Sequence, residues 1–138
     1  MKIFKHITNG LVIVAIGLLH TKFALSAGVF GKQFAVFSKS FFYKISSGTD
    51  DFSSGRPDYE MHAAFWFFYW GMMLIVLGIL AHHMERTTKR LPHSFTISYL
   101  VFVLMGCYMI PQSGMTYFLL PHALFMIVWN FVRVRKAG

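Results

Sequence analysis

Residues 61–81 read MHAAFWFFYWGMMLIVLGILA, an uncharged and almost wholly apolar run long enough to cross a hydrocarbon layer of ~30 Å as a helix. Outward from it lie three more stretches of similar character, residues 7–27, 94–110 and 115–132, each near the ~20 residues a spanning helix requires. In a chain of 138 residues these four runs leave little material for anything else. The sequence therefore predicts an all-α integral membrane four-helix bundle, one domain over residues 1–138, placed as a multi-pass protein in a plasma or inner membrane.

Composition agrees. The chain is 56% hydrophobic with sixteen Phe, nine Met and five acidic residues, and its mean hydropathy is +0.54; a soluble domain of this make-up would not stay in solution. The net charge of +8 would suggest nucleic acid in a soluble protein. Here the basic residues flank the apolar runs, so the charge reads as membrane topology and no nucleic-acid partner is expected. The lone Cys107 lies inside the third run, which excludes an intrachain disulfide and a thiolate metal cluster.

The first run also carries marks of a secretory signal peptide: Lys2 and Lys5, an apolar core from Leu11 to Leu19, and Ala24-Leu25-Ser26-Ala27 in the manner of a cleavage site. Its apolar character continues past the usual core length, so a retained span is expected. With the N-terminus inside, Lys2, Lys5, Arg86, Lys89, Arg90, Arg133, Arg135 and Lys136 fall on the cytoplasmic side. The other side receives Lys32, Lys39, Lys44 and Arg56, opposed by Asp50, Asp51, Asp58 and Glu60. This asymmetry predicts cytoplasmic N- and C-termini and an external, uncharged turn at residues 111–114.

The first outer connection, residues 28–60, has two unlike halves. Phe30, Phe34, Phe37, Phe41 and Ile45 recur at helical spacing among Lys32, Ser38, Lys39 and Ser40, which predicts an external amphipathic helix over about residues 29–45 lying in the interface as a cover or a lid. Residues 46–57 are rich in Ser, Gly, Asp and Pro and predict a loop, with Asp58 capping the next helix.

Small residues recur every seven positions: Gly10, Gly17 and Ala24 in the first run, Ala64, Gly71 and Gly78 in the second. Such seams let helix backbones close on one another in lipid, so these two runs should be neighbours. Thr116, Ala123 and Asn130 form a similar row in the fourth run, and Tyr99, Gly106 and Ser113 a weaker one in the third.

Polar side chains within spans cost free energy unless satisfied, and they are the candidate site. His20 lies on the seam side of the first run, and His122 follows Pro121, which cannot donate to Tyr117 and should kink its helix. Glu60, His62, Tyr108, Gln112 and Tyr117 gather toward the same outer end. His20 and His122 either hydrogen-bond neighbouring helices or interfacial water, or meet there, with these residues completing a ligand-binding polar pocket. No helical pair at i, i+4 supplies a metal site, and none is expected. His82, His83 and Glu85 close the second run and read as a solvated end facing anionic lipid.

Gly17-Leu18-Leu19-His20-Thr21, Ala64-Phe65-Trp66-Phe67 with Gly71 and Gly78, Leu91-Pro92, Pro111-Gln112-Ser113-Gly114 and Leu120-Pro121-His122-Ala123 resemble a family of small four-span bacterial membrane proteins without an assigned activity. The layout is more distantly similar to DoxX-like proteins, some linked to quinone or thiol redox work, although this chain has no Cys-x-x-Cys. Two functions follow as expectations. One is a non-catalytic binder of an apolar ligand, lipid or partner subunit. The other is a membrane oxidoreductase component using haem or quinone through His20 and His122.

Overall fold

The computed structural model describes residues 7–39 and 59–135, without the side chains of residues 37 and 133–135. The readings of residues 40–58, including Phe41, Ile45, the Ser-Gly loop and the Asp58 cap, lie outside the described residues. Every regular element among those described is helical: α1 Asn9–Ala24, α2 Gly31–Phe37, α3 Tyr59–Thr88, α4 His93–Met109, a π-helical turn Met115–Leu119 and α5 Leu120–Arg135. The all-α expectation holds. Two segments, Tyr59–Thr88 and Met115–Val132, are long and apolar enough to cross a membrane, while α1 and α4 are apolar but shorter, at 16 and 17 residues.

The element ends have local causes. α1 begins where Thr8 Oγ1 accepts the Leu11 N–H at 3.2 Å, filling one of the open donors of a first helical turn. It stops at Ala24 rather than Ala27, because the Ser26 carbonyl accepts the N–H groups of both Val29 and Gly31 and bends the chain into a turn. α3 runs past Ala81 to Thr88, a length of 30 residues. Hydropathy falls after Ala81 but nothing there breaks a helix; Lys89 does, with a left-handed φ of 64°, and Pro92 follows.

α2 is shorter than the amphipathic pattern predicts. Ser38 Oγ donates to the Ala35 carbonyl at 2.8 Å and the Lys39 N–H turns back to Val36, so the last helical turn tightens and closes at Phe37. At Pro121 the expected strain takes the form of the π-helical turn: the Leu120 N–H reaches back five residues to Met115. The wider turn makes room for a ring that would otherwise press on the carbonyl four residues earlier.

The chain divides into two compact units, Met1–Ile16 with Val76–Gly138, and Gly17–Ile75. In the Gly17–Ile75 unit, the expected seam is a close approach of backbones. A Cβ on Gly17 would lie 2.9 Å from both the Gly71 carbonyl oxygen and the Ile75 nitrogen. Ala24 and Ala64 are fully buried in the same unit. In the other unit, a Cβ on Gly78 would lie 2.7 Å from the Gly10 carbonyl oxygen and the Val14 nitrogen. There α4 and α5 bury Thr96, Tyr99 and Val103 against Leu119, Ala123, Met126 and Asn130, rows spaced by three and four residues as one helix face requires. Outward faces are apolar: 22% of the apolar window of α3 and 28% of that of Met115–Val132 is buried within the chain. Two helices of this length and character support membrane association, since bare apolar surface of this kind costs ~25 cal/mol for each Å² in water.

Candidate functional site

His20 is held in the Gly17–Ile75 unit. Its Nε2 lies 2.9 Å from the Phe67 carbonyl oxygen and its ring stacks on Phe67 at 4.2 Å and 27°. A carbonyl only accepts, so Nε2–H donates, and in the neutral ring Nδ1 keeps the lone pair. The missing side chain of Gly71 gives the imidazole its place, since a Cβ there would come within 3.1 Å of His20 Cδ2. Thr21 Oγ1, beside it, is buried without a partner among the described residues. Above this pair of helices, α2 rests on the start of α3. Phe30 meets Phe67 at 5.4 Å, Phe34 meets Phe68 at 5.2 Å, and Gln33 Nε2 donates to Glu60 Oε2 at 3.2 Å. His62 is half-buried one turn into α3.

His122 belongs to the other unit and is buried on the inner face of α5 at 8% exposure. Its partner is Tyr99 of α4: the hydroxyl oxygen is 3.4 Å from His122 Nδ1 and the rings meet edge-on at 5.9 Å and 80°. Its other nitrogen, Nε2, is buried with no partner among the described residues, as are Ser113 Oγ and Thr116 Oγ1 at the start of the same helical segment. Tyr117, Tyr108 and Gln112 are exposed, the first two at 64% and 86%. In the sequence Tyr99 is only a large member of a small-residue row; its pairing with a histidine 23 positions along the chain depends on the α4 and α5 register.

A third polar group lies where α3 meets the start of α1. Glu85 is 6% exposed, with Oε1 accepting Asn9 Nδ2 at 2.7 Å and Oε2 accepting the Gly10 N–H at 3.0 Å. Thr8 Oγ1 lies 2.7 Å from His82 Nδ1. The last turns of α3 thus cap the start of α1, and a carboxylate is well placed at the positive end of that helix. This corrects the reading of residues 82–85 as a solvated end; His83, Arg86 and Arg90 are exposed as expected. Asn130 makes a comparable tie, donating to the Leu91 carbonyl at 2.8 Å. Among the described residues no three of His, Cys, Asp and Glu are grouped to hold a metal ion.

These features define an all-helical chain with segments suited to a membrane and with small polar clusters set into its helix contacts. The chain belongs to a family of unknown function (DUF6463), whose model matches residues 5–132. No curated protein and no solved structure matches it.

Proposed function

We propose that this chain is a non-catalytic membrane protein of four spans, with both termini cytoplasmic, which binds a small and largely apolar ligand through the polar inner face of α4 and α5. The observation that supports this most is His122 Nε2, a buried ring nitrogen with no partner among the described residues. Leaving such a group unpaired in a medium without water costs ~1–3 kcal/mol, which a ligand carbonyl or hydroxyl would recover. Tyr99 orients the ring from its other nitrogen, and the exposed apolar flanks suit a ligand that arrives from lipid. The shorter α1 and α4 still cover much of a bilayer, at ~1.5 Å for each residue.

The test is to purify the protein and a His122→Phe variant in mild detergent, extract each, and identify co-purifying small molecules by mass spectrometry. A compound near one equivalent in the wild type and depleted at least about fivefold in the variant is expected, the loss of one charge-free hydrogen bond being worth about that factor. Identical extracts matching bulk membrane lipid would overturn the reading. A Soret band in the visible spectrum would instead place the protein among haem-bearing oxidoreductase components.

A further inference from the structure

The geometry points to α2 as a lid that controls access to the His20 imidazole. All the groups concerned lie within the Gly17–Ile75 unit. His20 covers one face of Phe67, and the same Phe67 ring is met by Phe30 from the residue that precedes α2 and by Phe23 at 6.4 Å. Phe34, one turn along α2, sits on Phe68. The aromatic contacts that seat α2 are therefore continuous with the ring on which His20 lies. Across this seat the Gln33 to Glu60 hydrogen bond acts as a clasp, and it is exposed, so water competes for it directly.

The segment on which α2 would swing suits the part. α2 has 7 residues, too few to stand as a helix without its contacts. It is joined to α1 by the turn at residues 25–30, where Gly28 has nothing within 4 Å of a Cβ position. What lifting α2 would free is one face of Phe67 and, through it, the imidazole whose Nε2 is committed to a carbonyl. Nδ1 is then the atom available to a hydrogen-bond donor or an electrophile entering from the outer side. This inference concerns a different histidine from the ligand reading at His122 and stands or falls apart from it.

The experiment is carbethoxylation by diethylpyrocarbonate of the full chain in lipid nanodiscs, with the rate at each histidine resolved by peptide mass spectrometry. Two lid variants are compared with the wild type, the double variant Phe30→Ala/Phe34→Ala and the milder Gln33→Glu, which sets a second carboxylate against Glu60. Loss of two ring contacts should raise the His20 rate roughly fivefold or more. Loss of one exposed hydrogen bond should raise it about threefold. His83, exposed in the other unit, should keep its rate in both. An unchanged His20 rate in Gln33→Glu overturns the lid, as does a rise at His20 matched by an equal rise at His83.

Discussion

Replacing Gly17 by alanine is the most direct test of the backbone seam. In an ordinary helix interior this change is stabilising, by ~1 kcal/mol, because alanine loses less conformational freedom on folding. Here the new Cβ would lie 2.9 Å from the Gly71 carbonyl oxygen, the Ile75 nitrogen and Ile75 Cγ1. Ordinary contact needs roughly 3.5–4.0 Å, so the helices must part by about half an ångström or more. The first two obstacles are backbone atoms and cannot rotate away. Overpacking of this kind costs ~1–3 kcal/mol, and the unyielding neighbours put it in the upper part of that range. The net expectation is a loss of about 1–2 kcal/mol, a roughly tenfold fall in the ratio of folded to unfolded protein for each 1.4 kcal/mol. Gly28→Ala, with nothing within 4 Å, is the control in the same unit. Reversible unfolding in mixed detergent micelles, titrated with SDS, measures both. Gly17→Ala as stable as the wild type, or more so, would refute the argument that backbone contact holds α1 to α3.

Two further outcomes are expected. Glu85→Ala strips the partners from Asn9 Nδ2 and the Gly10 N–H, and should cost about 3 kcal/mol in the same titration, since hydrogen bonds to a charged group are worth more than neutral ones; a loss indistinguishable from that of an exposed control such as Arg86→Ala would deny the cap its role. For topology, a reporter active only outside the cytoplasm should be active when fused at Gln112 and inactive at Lys89, and the opposite pattern would reverse the proposed orientation.

The helical character and the apolar stretches were legible because hydropathy is a property of local runs, and a run such as residues 61–81 needs no partner to declare itself. The seam was legible for a related reason. Seven residues are two turns of any helix, so Gly10 and Gly17, or Gly71 and Gly78, must share a side whatever lies opposite. His20 was placed on the correct side by the same count. Its hydrogen bond to the Phe67 carbonyl was not foreseeable, because that depends on how far α1 slides along α3.

Glu85 shows the limit most plainly. After Ala81, His82 and His83 it looks like the wet end of a span, and by hydropathy alone it is. It is buried because Gly78 lets α1 come close enough for the first N–H groups of that helix to need an acceptor where Glu85 stands. Tyr99 and His122 repeat the lesson, since residues 23 positions apart meet only once the turn between α4 and α5 and its π-helical start set the register. Periodicity along the chain determined which side of each helix is inward and which stretches suit a membrane; the register between helices, a matter of close packing summed over many weak contacts, was decided only by the tertiary structure, and with it which polar groups find partners and which are left open.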